Sequence, residues 1–144
     1  MRSFEETRII ACPADKMFDI VMDINAYPQF LPWVADARIL TEEPGELTAE
    51  LIAELAGSTH SFRTIDRFVP GKLVEIRLLE GPFRFLESVW TFEPQPDNDC
   101  KVHFSIEFEF RSMMLDMVAS PVFSTACKSM VQSFEQRALE LNAS

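Results

Sequence analysis

"CKVHFSIEFEFR", residues 100–111, alternates without a break. Val102, Phe104, Ile106, Phe108 and Phe110 take one side, and His103, Ser105, Glu107 and Glu109 take the other. A side-chain period of two belongs to a strand, and an apolar face opposed to a polar one belongs to an antiparallel sheet covered on one side only.

Working outward, the same parity recurs upstream. In "FRFLESVWTFEP" Leu86, Ser88, Trp90 and Phe92 share a face opposite Glu87 and Thr91. In "ELTAELIAELAG" Leu47, Ala49, Leu51, Ala53 and Leu55 oppose Thr48, Glu50 and Glu54. "KLVEIRLLE" sets Val74, Ile76 and Leu78 against Glu75 and Arg77. "HSFRTIDRFV" is ambiguous, with Phe62, Thr64 and Asp66 on one face and Ser61, Arg63 and Ile65 on the other. "VADARILTEE" and "SFEETRIIA" read as strands of open register. The glycines, Gly45, Gly57, Gly71 and Gly81, fall between these stretches in turn contexts such as "VPGK" and "EGPF", as expected of a meander.

Helical spacing is confined to the two ends of the pattern. "CPADKMFDIVMDI" puts Pro13 and Ala14 at a helix start, with Met17, Ile20, Val21 and Ile24 at helical intervals. "ASPVFSTACKSMVQSFEQRALEL" carries a broad apolar stripe from Val122 to Leu141, and Ser120-Pro121 reads as its N-cap and first turn. "SMMLDMVA" forms a short helix ahead of it, so a break is expected near Pro121. The expectation is an α+β fold: a curved seven-strand antiparallel sheet wrapped around a long C-terminal helix, with short helices between the first two strands. Residues 1–144 read as a single domain. If the helix does not fill the concavity of the sheet, a cavity remains between them.

Composition narrows the function. The net charge is −10, from 23 acids against 13 bases, which opposes bulk nucleic-acid binding and argues against a DNA partner. No secretory h-region and no run of roughly 18 apolar residues occurs, so a cytoplasmic protein is expected. The three cysteines, Cys12, Cys100 and Cys127, lack CxxC spacing and read as free buried thiols. His60 and His103 lack metal-ligand spacing, and no GxGxxG, P-loop or GxSxG is present. Asp66, with Arg63 and Arg67, reads as a polar spot on a solvated sheet edge. The unexplained signal is apolar residues at connections: "YPQFLPW" at 27–33, and Met113, Met114, Leu115 and Met117 before the last helix. Methionine suits surfaces that adapt to an apolar partner.

"YPQFLPW", "SVWTFEP", "FSIEFEFRS" and "VQSFEQRA" together give the chain its resemblance to the coenzyme Q-binding proteins of the START-like superfamily, whose fold is called helix-grip. The same family includes ribosome-association toxins of the RatA type. The resemblance covers nearly the whole chain and implies a polyisoprenoid quinone, ubiquinone, held as a ligand between sheet and helix by a carrier rather than an enzyme, with no catalytic cofactor. Each isoprene unit buried would contribute roughly 3–4 kcal/mol before ordering costs. On this reading parity assigns Leu51, Leu86, Trp90, Phe104, Ile106 and Phe108 to the cavity wall. Phe123, Cys127, Met130 and Phe134 face them from the helix. Phe30, Leu31, Trp33 and Met117 belong to the wall and mouth, the prolines holding "YPQFLPW" out of a regular helix. Ser88 and Thr64, with the Trp90 indole, are candidate hydrogen-bond donors to the quinone oxygens. A peripheral position at the inner membrane, with transient contact to its surface, follows from such a ligand. The alternative within the family is a toxin that binds the large ribosomal subunit and blocks subunit association. A third is a polyketide cyclase or dehydratase, which would need a pocket acid or base with a perturbed pKa.

Overall fold

The computed structural model describes residues 1–143. β1 (Arg2–Ile10) leads into α1 (Ala14–Met22) and a 3-10 turn (Ile24–Gln29). The meander follows as β2 (Val34–Glu43), β3 (Glu46–Leu55), β4 (Ser58–Val69), β5 (Leu73–Glu80), β6 (Phe83–Gln95) and β7 (Asp99–Phe110). Two helices close the chain, α2 (Met113–Lys128) and α3 (Met130–Ala143).

The seven strands form one sheet in the order β1-β7-β6-β5-β4-β3-β2. Every neighbouring pair is antiparallel. The parity of each strand carries across the ladder. Leu86 stands opposite Phe108, Ser88 opposite Ile106 and Trp90 opposite Phe104. Asp66 stands between Leu47 on β3 and Ile76 on β5. One continuous inner face results, and the ambiguous strand β4 turns Phe62, Thr64 and Asp66 towards it. α2 packs on both β7 and β3, which three strands separate. A flat sheet could not touch one helix at both places, so the sheet curls around it. Gly81 makes the tightest of the turns. Its φ is +154°, and a Cβ there would lie 2.4 Å from that of Phe62, so only glycine lets β5 pass into β6 at this approach.

α1 buries Ala14, Met17, Phe18 and Val21, spaced as one helical face. The segment after it departs from the expectation of a non-helical "YPQFLPW". Ile24–Gln29 winds as a 3-10 turn with Pro28 inside it. The Tyr27 carbonyl then accepts from the amides of Phe30 at 3.2 Å and Leu31 at 2.9 Å, which ends the turn. The C-terminal break also lies elsewhere than expected. α2 is capped by Ser112, whose hydroxyl accepts from the Leu115 amide, and it runs through Pro121. The carbonyl that Pro121 leaves without an amide belongs to Met117, a residue on the solvent side. The interruption comes at Ser129, whose hydroxyl donates to the carbonyls of Thr125 and Ala126 and competes with the helical ladder.

One end of the concavity is packed solid. Phe83 stacks on Phe110 with centroids 4.6 Å apart. Phe123 meets Phe108 edge-on at 4.7 Å, and Phe4 stacks on Phe108 at 6.3 Å. The other end is left open.

Candidate ligand cavity

A cavity of about 620 Å³, its mouth included, lies between the sheet and the C-terminal helices. Leu51 of β3, Ile76 of β5, and Leu86 and Trp90 of β6 contribute walls, as do Phe104 and Ile106 of β7. Phe123, Met130 and Phe134 face them from α2 and α3, and Ile24, Tyr27, Leu31 and Trp33 close the side nearest α1. Trp90 lies against Phe104 at 4.5 Å and against Phe134 at 5.0 Å. An apolar lining with a few convergent polar groups is what small-molecule sites present.

Twelve of the residues expected from sequence come together here: Leu31, Trp33, Leu51, Thr64, Leu86, Ser88, Trp90, Phe104, Ile106, Phe123, Met130 and Phe134. Four do not. Phe108 is fully buried but spends its surface on Phe4, Phe83, Phe110 and Phe123 in the solid end. Cys127 faces a groove beside β1 with Phe4 and Lys128, and burial pushes its thiol up to about 12. Phe30 packs on Tyr27 and Phe134 and lies under the Arg137 guanidinium at 5.2 Å, outside the cavity. Met117 is 77% exposed, because α2 turns Ala119, Ser120, Phe123, Ala126 and Cys127 inward and Met117 lies off that face. The mouth account of "YPQFLPW" also changes. Leu31 is only 2% exposed, so it is wall. Trp33 is the half-buried residue at the rim, fixed edge-on against Phe123 at 5.6 Å and tied to β3 through the Glu54 amide.

Sequence reasoning missed one chemically distinctive residue. Asp66 lies in the cavity wall, 4% exposed, not on a solvated edge. Arg63 and Arg67 point to the opposite face, where they pair with Glu50 and Glu46 at 2.9 Å. Asp66 Oδ1 accepts from the Thr64 hydroxyl at 2.9 Å. Burial raises the carboxyl to about 6, against the Thr64 hydrogen bond, which lowers it. Tyr27 is the other titratable wall residue. Its hydroxyl donates to the Val21 carbonyl, and burial, with the charge of Asp66 added, holds the phenol well above its ordinary value. The available signal for Asp66 was its parity with Phe62 and Thr64 on β4.

Residues 10–135 match the family model described as polyketide cyclase / dehydrase and lipid transport. The chain belongs to that family. Among curated relatives it is 37% identical to the ribosome association toxin RatA of Rickettsia prowazekii, covering 98% of this chain and 99% of that one. It is 30% identical to the mitochondrial coenzyme Q-binding protein COQ10 homolog B of Xenopus laevis, covering 94% of this chain and 57% of that one. Among solved structures, a START superfamily protein from Mycobacterium smegmatis superposes with a TM-score of 0.79 at 20% identity, over 96% of this chain and 98% of that one. The helix-grip architecture expected from sequence is therefore the family's architecture. No helix among the described residues is long and apolar enough to cross a membrane.

Proposed function

We propose that the chain acts at the ribosome, binding the large subunit and hindering its association with the small one. The observation that carries this is the end-to-end likeness to RatA, closer and more complete than the likeness to the coenzyme Q-binding relative. Two features of the surface support it. Met113, Met114 and Met117 are 76–87% exposed on the first turns of α2, beside Val118, a face suited to an adaptable macromolecular contact. The charge of −10 favours ribosomal protein over RNA as what that face meets. Purified protein added to separated subunits at low magnesium, then resolved on a sucrose gradient as magnesium is raised, tests the reading. Free subunits should persist in proportion to the protein added. Undiminished formation of joined ribosomes, with the protein running at the top of the gradient, overturns it.

The cavity favours a second reading, in which the chain binds ubiquinone or a similar polyisoprenoid and carries it for respiration at the membrane surface. The apolar walls suit a hydrocarbon tail and the polar groups on β4 and β6 suit a head group, while a longer tail would leave past Trp33. Solvent extraction of the purified protein and mass spectrometry of the extract test this, as does oxygen uptake after gene deletion with total quinone still measured. In neither reading does the chain turn a substrate over. Asp66 does meet the requirement for a pocket acid, but a cyclase or dehydratase also needs a donor for the developing oxyanion. The Tyr27 hydroxyl is engaged with Val21, the described wall carries no Lys, Arg or His, and the Ser88 hydroxyl and Trp90 indole are neutral donors only.

A further inference from the structure

The cavity wall has a single ionisable group of acidic range, and its coordination is incomplete. Thr64 donates to Asp66 Oδ1, while Oδ2 has no protein donor among the described residues. The Ser88 hydroxyl lines the same cavity, also without a hydrogen-bond partner among the described residues. An ionised carboxylate accepts up to about four hydrogen bonds and donates none. In a wall shared with Phe62, Ile76 and Leu86, this one finds no further donor from the described protein and keeps acceptor capacity open to a ligand in the cavity. With its carboxyl at about 6, Asp66 is mostly ionised at neutral pH. The facing titratable group is Tyr27, which repels rather than relieves a negative charge.

We propose that Asp66 is the head-group determinant of the cavity, selecting uncharged apolar ligands that carry a hydroxyl or phenolic donor. The donor reaches Asp66 Oδ2, and Ser88 hydrogen-bonds the same head group. This rests on the reading that the cavity takes an apolar ligand. A fatty acid or phospholipid head is rejected, since its charge would lie beside a carboxylate with no cation in the wall. Within the quinones the rule separates two redox states of one molecule. A hydroquinone offers two phenolic donors, and its oxidised quinone offers acceptors alone.

Binding of a short-tailed 1,4-hydroquinone, its quinone and palmitate, followed by quenching of Trp33 and Trp90 fluorescence under argon at pH 8, tests the assignment. The wild-type protein should bind the hydroquinone about tenfold or more tightly than the quinone, as expected for one hydrogen bond to a charged acceptor, and palmitate not at all. Asp66→Asn, whose amide both donates and accepts, should bring hydroquinone and quinone within about threefold of each other. Thr64→Val, which keeps the carboxylate, should retain the preference. Equal affinity of the wild-type protein for both redox states, or tight palmitate binding, overturns the head-group assignment while leaving the cavity reading intact. Failure of all three probes to bind overturns the cavity reading and the assignment with it.

Discussion

The two halves of the concave face are built from the same strands and have opposite characters. Around Phe83, Phe108, Phe110 and Phe123 the rings close on one another at 4.6–6.3 Å and leave no space. Around Thr64, Asp66, Ser88 and Trp90 a cavity stays open. β7 supplies both, placing Phe108 in the first and Phe104 in the second, four residues apart on one face. Phenylalanine density therefore does not mark the site. What marks it is the set of polar side chains at inward parity, because a core that could close would have no use for a carboxylate, and a carboxylate keeps it from closing.

The largest expected effect sharpens that contrast within β7. Phe108→Ala should cost about 3–5 kcal/mol in urea unfolding, since it removes a fully buried ring packed against four others. Phe104→Ala should cost at least about 1 kcal/mol less, because the side of its ring that faces the cavity has no partner atoms to lose. Equal costs would mean that the two halves do not differ in packing, and the distinction drawn from the ring geometry would fail.

Next in size is the price of the buried carboxyl. Its pKa is about 6 in the folded chain against an ordinary 3.8, so the native state binds the proton more tightly than the unfolded one. Stability from this group is therefore complete below about pH 4 and is lost as pH rises to about 6, a change of about 2–3 kcal/mol. Asp116, held low by the Ser120 hydroxyl and then by Arg2, contributes in the opposite sense and below that window, its stabilisation being lost as pH falls under its ordinary 3.8. The difference between wild type and Asp66→Asn isolates the term: the variant should gain on the wild type across that window and be the more stable protein at pH 8. Parallel stability curves from pH 4 to pH 8 would show that Asp66 is not desolvated in the folded chain and would remove the raised carboxyl from the account of the cavity.

How far all this was legible follows from the same contrast. β7 and β6 could be read because their inward positions are nearly all large and apolar, so parity and burial give one signal. β4 could not, because Thr64 and Asp66 on the inner face and Ile65 on the outer one leave no contrast to orient the strand. The pairing of Arg63 and Arg67 with Glu50 and Glu46 across the ladder fixes it only in three dimensions. Proline misled twice for one reason. Pro28 and Pro121 lack an amide, but a 3-10 turn tolerates the first and a solvent-side carbonyl tolerates the second, so neither breaks its segment. Ser129, which does interrupt the helix, is an ordinary serine until its hydroxyl is seen on two carbonyls. Cys127 belongs to a stripe too broad to have one inward direction, and the curl of the sheet decides which part of the stripe it meets. Met117, expected at the wall and mouth as one of the apolar residues ahead of that stripe, is excluded by the face that α2 turns inward.

The smallest effect tests the open half most closely. Ser88 lies opposite Ile106, is 5% exposed, and has a hydroxyl with no protein partner among the described residues. Were it in the solid half, such a hydroxyl would be a defect, and Ser88→Ala would stabilise the protein by about 1–3 kcal/mol by removing an unsatisfied group. In an open cavity its lone pairs reach water, so the substitution should change stability by no more than about 0.5 kcal/mol. Ser88→Val separates the accounts further. In a solid interior the added methyl groups would strain the packing and cost about 1–3 kcal/mol. Facing a cavity, they would fill empty space and leave stability level or slightly higher, while reducing the room beside Asp66 for any head group. Thermal melting of the two variants, with binding of a neutral phenolic probe measured on each, reads both consequences. A valine variant that is clearly destabilised would show that the space beside Ser88 is already occupied by protein atoms, and the division of the concave face into a closed half and an open half would have to be redrawn with β6 on the closed side.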